Sequence, residues 1–468
     1  MRRTTLAVLA ALALAGCTAV GPDYRVPPDA LARAPAAQGQ FMSGQAGTSP
    51  AAPPDHWWQL FDDARLDGLI GRTLETNIEL RIAAANLRRT AALLAEARTG
   101  RQVDGLADYE TYWTQQSAES VLQHAKPPER QIYNAGIAIS YDIDLYGGIR
   151  RGIEAAAADT EAAVAARDLV RINVAAETAH AYAELCNAGH QIDVLRRLVA
   201  VQADDVRLNQ ILVTRGRAAE YEQERHQSAL AGTRAHLPQL EALQRNAAFR
   251  LATLSGLPPA QFDRSLFDCR APLQLHSPLP TGDGRALLMR RPDIRAAERR
   301  LAAATARIGV NTAALYPDIK FGAAVGSTGT EADLLSSLTN RFAVGPMISW
   351  NLRQSTVRAR IAQAEAQSQA SLAVFDAIVL RSLREVESAL ANYAADLERL
   401  GDLKRSHDAA TQVAERTAEL WQGGKVGRLA ALEAERNDLV AEQALAGAQA
   451  EVNAAEIAVF LALGGGWT

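Results

Sequence analysis

Two stretches without proline constrain this chain more than any other feature of its sequence. No proline occurs between Glu129 and Leu237 or after Pro346, and both stretches are rich in Ala, Leu, Glu, Arg and Gln, which strongly favour helices. They predict one helix over residues 148–215 and another over residues 356–423, each about 68 residues and roughly 100 Å long. Helices in ordinary globular domains are far shorter. The chain therefore folds around two very long helices.

The chain is also a tandem repeat. Residues 77–87 align with residues 291–301 at an offset of 214, and Gly216 matches Gly424 at an offset of 208. Nearly constant offsets indicate two structural repeats, at residues 57–255 and 285–463, joined by a proline-rich connector at 256–284 and followed by a tail at 464–468. In the first repeat we expect two strands at 103–114 and 133–146, a long helix at 148–215 and a returning helix at 219–255. In the second repeat we expect two strands at 319–328 and 341–352, a long helix at 356–423 and a returning helix at 427–463.

The four predicted strands alternate with a period of two. Between Tyr133 and Leu145, Tyr, Ala, Ile and Leu alternate with Asn, Gly, Ser and Asp, which places the apolar side chains on one face. Each window has the ten or so residues that a tilted transmembrane strand needs. The alternative is a pair of hairpins packed on a soluble core, but nothing nearby offers a second sheet to cover their apolar faces.

The N-terminus reads as an export signal. Arg2 and Arg3 precede an apolar run that is too short to span a bilayer, and Leu14-Ala15-Gly16-Cys17 resembles the bacterial lipobox. We expect removal of residues 1–16 and lipidation of Cys17; the alternative is an ordinary cleaved signal with a chance cysteine. Thr18, rather than Asp, implies sorting to the outer membrane. Residues 17–56, rich in Pro, Ala, Gly, Gln and Ser, predict an extended tether between the lipid and the folded body.

Charge and motifs argue against nucleic-acid binding and against catalysis. A net charge of −4 leaves no basic footprint. The histidines show no His-x-x-x-His spacing, and there is no phosphate-cradling Gly-x-x-x-x-Gly-Lys. Asp142 and Asp144 are paired carboxylates that period two directs at a wet lumen, which favours a solvated pore lining over acid–base catalysis. We expect no enzyme activity, no cofactor and no metal site.

Cys186 and Cys269 are the two cysteines left after the leader. They lie 83 residues apart, with no Cys-x-x-Cys spacing and no accompanying His pair, which argues against metal ligation. A disulfide in an oxidising periplasm and two buried thiols that behave as small apolar residues both fit this sequence.

Four strands cannot close a transmembrane barrel. An open edge in lipid leaves backbone groups unpaired at several kcal/mol each, so closure must come from other copies of the chain. Three copies would give twelve strands, an even number that leaves a water-filled lumen. The long helices carry no hydrophobic band all round, so they lie in water. The sequence thus predicts a mixed fold, a membrane β-barrel with a long α-helical barrel, that acts as a conduit.

The chain resembles the TolC-like outer-membrane factors, in particular the lipoprotein branch that serves tripartite (RND-type) efflux pumps. The resemblance covers nearly the whole chain, and its motifs are Cys17 with Gly21-Pro22-Asp23-Tyr24, Trp57-Trp58 with Phe61, Tyr141 to Gly147, Arg290 to Glu298, Ile308-Gly309, Tyr316-Pro317 and Ala462 to Trp467. It implies a homotrimer with a 12-stranded outer-membrane barrel, a periplasmic α-helical tunnel, and an equatorial collar formed by the connector and the termini. It also implies a passive channel for drugs or other small toxic compounds, with a periplasmic adaptor (membrane fusion) protein and an inner-membrane RND-type transporter as partners.

The turns that end the long helices are the expected functional region. Glycines there supply the left-handed conformation that a helix C-terminus needs, and the adaptor is expected to dock at Gly216, Arg217, Gly424 and Lys425. The resemblance places the narrowest ring of the tunnel at Tyr221, Glu222, Arg225, Leu429, Glu433 and Arg436. It makes Glu433 a gating acid and Leu429 an apolar constriction. Arg225 and Arg436 lie one turn beyond Glu222 and Glu433, close enough to pair with them or with neighbouring helices.

The chain departs from the family pattern at three places. Arg101-Gln102-Val103 lacks the usual proline, Gln354-Ser355 replaces a glycine pair, and Leu420-Trp421 stands where Arg-Tyr is common.

Two other functions stay open: an outer-membrane channel for type I protein secretion, which shares this fold, and a structural or adaptor lipoprotein built of coiled coil. The lipobox and the Arg-Arg-Pro-Asp run favour efflux by resemblance.

Overall fold

The computed structural model describes residues 19–43, 47–333 and 335–465; the signal peptide, Cys17 and Trp467 lie outside them. Its helices are α1 (Pro35–Gln38), α2 (Ala64–Thr76), α3 (Ile78–Thr99), α4 (Gly148–Thr214), α5 (Glu220–Ala235), α6 (Leu237–Leu254), α7 (Gly284–Arg290), α8 (Pro292–Ala313), α9 (Gln354–Gln422) and α10 (Arg428–Ala462). Its strands are β1 (Thr48–Ser49), β2 (Asp104–Thr114), β3 (Arg130–Asp142), β4 (Leu279–Pro280), β5 (Asp318–Thr330) and β6 (Asn340–Ser349). Two compact units divide the chain: unit 1 comprises residues up to 27 with 87–163 and 297–375, and unit 2 comprises 28–86, 164–296 and 376–468.

The two long helices, α4 and α9, have 67 and 69 residues. They begin and end within two residues of the bounds expected from the proline-free stretches. No helix in the described part of the chain is both long enough and apolar enough to cross a membrane. Their length follows from composition, since both are rich in strong helix formers and contain no proline, and a left-handed glycine follows the end of each.

The returning helix of the first repeat differs from the single helix expected over residues 219–255. It is divided into α5 and α6 at His236. Pro238, in the first turn of α6, has no N–H to donate to a carbonyl one turn earlier, so the helix cannot continue through it. In the second repeat α10 contains no proline, and it runs for 35 residues without a break.

Unit 1 contains a four-stranded antiparallel sheet in the order β2-β3-β5-β6. Ile137 pairs with Ala107 on one side and with Val325 on the other, and Val325 pairs with Phe342. The alternating apolar residues of all four strands therefore share one face. That face is uncovered in the single chain, where Ile137 is 58% and Phe342 85% exposed. Strands β2 and β6 are the two edges, and neither has an outer partner strand among the residues described.

The end of β3 corrects the expectation for Asp142 and Asp144. The strand stops at Asp142 instead of continuing to residue 146. Asp142 pairs with Lys320 of β5 at 2.8 Å, whereas Asp144 accepts hydrogen bonds from the backbone N–H groups of Ile149 and Arg150 at 3.0 and 2.8 Å. Asp144 therefore satisfies the unpaired donors at the start of α4. Asp142 forms an ion pair across the sheet and Asp144 caps a helix, so the two carboxylates do not form a pair on one strand face.

The N-terminal segment packs closely on the body. In unit 2, Ala30 and Ala37 are buried, and β1 pairs in parallel with β4 of the connector. The described part of residues 17–56 is not the expected extended tether, since a 3-10 turn at Leu31–Arg33 and helix α1 interrupt it and it packs on the body. The segment's small side chains allow its backbone to approach the body closely. The same small and polar composition predicts a spacer, and that prediction does not hold for the described part.

A disulfide joins Cys186 of α4 to Cys269 of the connector. Cys186 is fully buried in the core of unit 2, which also contains Trp57 stacked on Phe460 with ring centroids 4.7 Å apart. A Cβ at Gly189 would lie 2.4 Å from the carbonyl oxygen of Cys269, so the connector lies directly on the helix. The choice that the sequence left open is resolved in favour of the disulfide.

The carboxyl group of Glu456 lies in this core without a cationic partner among the residues described. Glu456 of α10 is 4% exposed, and its Oε2 accepts a 3.2 Å hydrogen bond from Asn453 Nδ2, which also donates to the carbonyl of Leu273 at 2.8 Å. Burial raises the pKa of Glu456 from 4.5 to about 7, although the Asn453 hydrogen bond lowers it somewhat. The buried Glu456 also contributes, after burial itself, to a raised pKa for Tyr393.

Folding stability should therefore fall as the pH rises through neutrality. Because the folded-state pKa of Glu456 is raised, its contribution is complete below pH 4.5 and is lost as the pH passes about 7, at a cost on the order of 3 kcal/mol per chain. Glu456→Gln should flatten this slope, because an amide does not ionise. Thermal unfolding followed by circular dichroism at about pH 5 and about pH 8 measures the slope, with the exposed Glu415→Gln as control. Equal slopes for wild type and Glu456→Gln would refute the assignment.

Candidate functional site

The first tip, residues 212–219, joins α4 to α5. The N–H of Arg217 donates to the carbonyl of Leu212 at 2.8 Å, and the N–H of Gly216 donates to the carbonyl of Val213 at 2.8 Å. These two bonds make a Schellman motif, in which the residue after the helix must be left-handed. Gly216 meets that requirement with φ of +71°. No atom lies within 4 Å of the position its Cβ would take, so only the backbone conformation demands glycine here.

The second tip, residues 420–427, joins α9 to α10 with the same geometry. The N–H of Lys425 donates to the carbonyl of Leu420 at 2.8 Å, and the N–H of Gly424 donates to the carbonyl of Trp421 at 2.9 Å. Gly424 has φ of +67° and also faces open space. The two repeats thus end their long helices with the same backbone motif, at the glycines that the 208-residue offset pairs.

The two hairpins, α4 with α5–α6 and α9 with α10, pack against each other within unit 2. One apolar cluster joins the two hairpins near their tips; it consists of Leu195, Leu198 and Val201 with Leu432 and Leu439, and Leu208, Leu237 and Leu240 pack on it. Arg197 of α4 pairs with Glu442 of α10 above this cluster. Both tips therefore lie at the same end of unit 2.

The aperture residues expected on the first hairpin lie in the first two turns of α5. Tyr221 is 66% exposed, and Glu222 contributes negative charge to the helix N-terminus, where it is electrostatically favoured. Arg225 is exposed. Within the described chain Glu222 and Arg225 make no ion pair within 4.0 Å; Glu222 is half-buried, and Arg225 is exposed, where an ion pair would gain little.

The aperture residues expected on the second hairpin do include an ion pair. Glu433 and Arg436 lie 3.7 Å apart across one turn of α10, and Leu429 is 37% exposed. Sequence reasoning missed two residues beside them. The guanidinium of Arg428 stacks on the Trp421 ring, 4.4 Å from its centroid, at the position where this chain departs from the family's Arg-Tyr.

Polar layers interrupt both hairpins near the tips. In the first, His226 Nδ1 lies 3.0 Å from Asp205 Oδ2, and buried Asn209 donates to Gln223 at 3.2 Å. These groups stand where a hairpin core is ordinarily apolar, and such polar contacts fix helix register at the expense of stability.

The second hairpin has a polar layer of its own. Thr411 donates to Asp438 Oδ1 at 2.6 Å, and His407 lies 3.6 Å from the same oxygen. Each hairpin thus carries one His–Asp contact between its outgoing and returning helices. Only the spacing from each tip could have signalled these layers in the sequence.

Arg151 holds the N-terminal segment on unit 1. Its buried guanidinium donates to Asp23 Oδ1 at 2.7 Å, to Glu154 at 2.8 Å, and to the backbone carbonyls of Val20 and Gly21 at 3.1 and 3.2 Å. A buried arginine with four acceptors is costly to disturb, because the loss of any acceptor leaves a buried N–H donor without a hydrogen bond. The segment from Val20 to Asp23 is therefore fixed in place on unit 1.

Three further contacts join the same region. Tyr24 donates to Glu298 Oε1 at 2.6 Å, and Arg299 lies over the Tyr24 ring. Gly21 lies so close to Gly309 that a Cβ on Gly21 would be 2.4 Å from the Gly309 Cα. The anchor clamp, which we define as Asp23, Tyr24, Arg151, Glu298 and Gly309, thus unites three motifs that are far apart in the sequence.

A second buried arginine, Arg291, organises unit 2. It donates to Asp293 at 2.7 Å, to Glu385 at 2.8 Å and to the carbonyl of Ala462 at 2.7 Å. The left-handed Gly464 lies against its side chain, where a Cβ would be 2.8 Å from the Arg291 Cγ. We call these five residues the collar clamp. It ties the Arg-Arg-Pro-Asp motif to the C-terminal Ala-Leu-Gly motif.

The charged side chains of Lys320 and Arg341 on the polar face of the sheet have charged or polar partners. Arg341 donates to Asn134 Oδ1 at 2.8 Å and to Thr328 at 3.1 Å. Within residues 19–43, 47–333 and 335–465, no three His, Cys, Asp or Glu side chains converge in a way that could hold a metal ion.

Comparison with known sequences identifies the family. A family model described as outer membrane efflux protein matches residues 69–257 and 285–465. The chain is 28% identical over 438 residues to the pyoverdine export outer membrane protein OpmQ of Pseudomonas putida, covering 91% of each protein. It is also 28% identical over 469 residues to the probable outer membrane lipoprotein SilC of Salmonella typhimurium, covering 97% of this chain and 96% of that one.

Solved structures agree with the sequence comparison. The outer-membrane channel OprN superposes with a TM-score of 0.86 at 33% identity, covering 96% of this chain and 99% of that one. The open state of the MtrE outer membrane channel of Neisseria gonorrhoeae superposes with a TM-score of 0.80 at 25% identity, covering 96% and 99%. These matches confirm the TolC-like fold class and the outer-membrane efflux function expected from the sequence. The chain belongs to the outer membrane efflux protein family.

Proposed function

We propose that this chain forms, as a homotrimer, the passive outer-membrane conduit of a tripartite pump that exports drugs or other small toxic compounds. The observation that carries the proposal is the four-stranded sheet of unit 1, with one uncovered apolar face and two unpaired edges. Such edges are not tolerated in hydrocarbon. Three copies supply twelve strands, and the polar face with Asp142, Lys320 and Arg341 then lines a wet lumen.

Small-molecule export accounts for the relatives better than protein secretion does. OpmQ is named for export of pyoverdine, and a relative from Pseudomonas putida that is 27% identical, TtgC, is named for toluene efflux. Both compounds are small molecules. The passage of such compounds through a shared conduit requires no chemistry, so the chain acts without enzyme activity and without a cofactor.

The partners in this proposal are a periplasmic adaptor (membrane fusion) protein and an inner-membrane RND-type transporter. The adaptor docks on the two tips, at Gly216, Arg217, Gly424 and Lys425. Both tips are exposed and lie at one end of unit 2, and their backbone faces open space at the glycines. Helical hairpins of the adaptor can approach such backbone end to end.

A lipid on Cys17 anchors the channel beside its barrel. Cys17 lies outside the described residues, but the N–H of Val20 donates to the carbonyl of Tyr146 at 3.0 Å, just past the end of β3. Three residues reach at most about 10 Å, so the lipid enters the leaflet next to the sheet. A lipid anchor holds a protein less strongly than a membrane-spanning structure does, so barrel insertion is the main hold on the membrane.

The resting tunnel is closed at the level of Leu429 and Glu433. Three-fold symmetry brings three copies of each side chain towards one axis, where an apolar ring resists wetting and a carboxylate ring attracts cations. Arg436 is paired with Glu433, and Tyr221, Glu222 and Arg225 line the same level from the first hairpin. Adaptor docking opens the ring by loosening these pairs.

The purified protein should be a trimer that depends on detergent, because a single chain leaves both sheet edges unpaired. Size-exclusion chromatography with light scattering in detergent should give the mass of three chains, and removal of the detergent should precipitate the protein. A monodisperse monomer in detergent would contradict the shared barrel.

Gly424→Val should reduce drug resistance while the yield of trimer holds. A β-branched residue strains the left-handed turn by on the order of 1 to 2 kcal/mol, which distorts the docking tip but not the clamps. Gly423→Val is the matched control, since Gly423 is the adjacent glycine without a positive φ. Drug resistance is measured in a strain that lacks its own channel. If resistance is unchanged although the Gly424→Val channel is expressed, the adaptor docks at a different surface.

Leu429→Ala with Glu433→Ala should raise single-channel conductance in planar bilayers and admit large antibiotics such as vancomycin into cells. The change removes both the apolar ring and the acceptor of the Arg436 pair, a contact that contributes about 1 kcal/mol or less. Leu243→Ala, a comparably exposed leucine on α6, should conduct like wild type. If the double variant also conducts like wild type, the constriction lies at another ring.

A further inference from the structure

Both tips carry a cation directly after the tip glycine. Arg217 and Lys425 are equivalent under the offset of 208 that relates Gly216 to Gly424. Each donates its backbone N–H to the carbonyl five residues earlier, and so occupies the same position of the same Schellman motif. Both side chains are exposed. The sequence duplicates a basic residue where the fold duplicates a turn.

A cation at this position departs from the usual chemistry of the motif. The residue after the left-handed glycine is frequently apolar, because it packs on the residue that accepts its hydrogen bond. The acceptors here are Leu212 and Leu420, and Leu420 is 40% exposed. Arg217 and Lys425 thus forgo an apolar contact in both repeats. Local rules broken without a visible gain in stability are expected at functional sites.

Interactions within the chain do not account for the two cations. Neither Arg217 nor Lys425 has an ion-pair partner within 4.0 Å among the residues described, whereas neighbouring Arg428 stacks on Trp421 and lies 3.9 Å from Glu435. A cation near a helix C-terminus is favoured by the helix dipole. That effect is equally available one turn earlier, where the cation would not displace an apolar contact.

We propose that Arg217 and Lys425 select a partner whose hairpin tips pair a carboxylate with an apolar side chain. This inference rests on the proposed docking of a periplasmic adaptor at the two tips. Three copies present six cations at one end of the assembly, and the three Lys425 side chains follow the exposed Leu420. Complementary charge guides encounter and excludes wrong partners, because like charges in contact are strongly unfavourable. An acidic tip fits this surface, and a basic tip is repelled by it.

Photo-cross-linking from the tip tests the inference with the intact channel. p-Benzoylphenylalanine replaces the exposed Gln422, which leaves both cations in place, in cells that make the natural pump. Arg217→Glu with Lys425→Glu is compared with Arg234→Glu with Lys404→Glu. The control pair also reverses one exposed cation on each hairpin, and Lys404 lies about 27 Å from Gln422 along α9. Trimer yield is measured for each variant.

The inference predicts a wild-type adduct whose cross-linked segment, identified by mass spectrometry, carries Asp or Glu at a hairpin tip. The adduct should fall by about tenfold in the tip reversal and stay within about twofold in the control pair. An adduct that survives the tip reversal, or a basic cross-linked segment, would overturn the charge selection and leave docking intact. If even the wild-type channel gives no protein adduct, the proposed docking itself fails.

Discussion

The rest of this structure depends on how the backbone hydrogen-bonding groups of its four long strands are satisfied. Strands β2 and β6 each present an unpaired row of N–H and C=O groups, and the face that contains Ile137, Val325 and Phe342 is uncovered. Water satisfies such groups at a sheet edge, but hydrocarbon does not. A chain that exposes this face must therefore pair its edges with other copies of itself. Oligomerisation is then a condition of folding in the membrane, and the lumen that carries function is a consequence of the same closure.

Rigidity is concentrated where the two buried arginines lie. Arg151 and Arg291 each bind carboxylates and backbone carbonyls that come from distant parts of the chain. The tips have no comparable centre, since Glu433 and Arg436 form a half-exposed pair and Arg217 has no partner among the residues described. Stability in proteins is distributed unevenly, and elements that move are drawn from its low end. Each clamp therefore stabilises its own unit, whereas the tips keep the freedom on which the proposed docking and opening depend.

Composition, hydrophobic periodicity and the offset between the repeats predicted most of the elements of the fold. Composition predicted the ends of both long helices to within two residues. Alternation predicted that the apolar residues of the strands share one face, and the offset of 208 paired the glycines of two identical turns. The failures have physical causes. The break at His236 follows from Pro238, a local signal that the expected single helix overlooked. Asp144 was misassigned because alternation does not reveal where a strand stops and a helix cap begins.

Contacts across long separations were beyond the sequence alone. The partner of Arg151, Asp23, lies 128 residues away, and the disulfide of Cys186 closes over 83 residues. No local pattern encodes such pairings, because they depend on where the two repeats place their elements. The polar layers show the same limit: His226 lies ten residues past Gly216, whereas Asp438 lies fourteen past Gly424. The duplicated hairpins therefore differ in where their cores are weakened, and the second also carries the Trp421 stack. The two hairpins thus share one turn motif but differ in the contacts behind it, so the docking proposed above would meet a different helix pair at each tip.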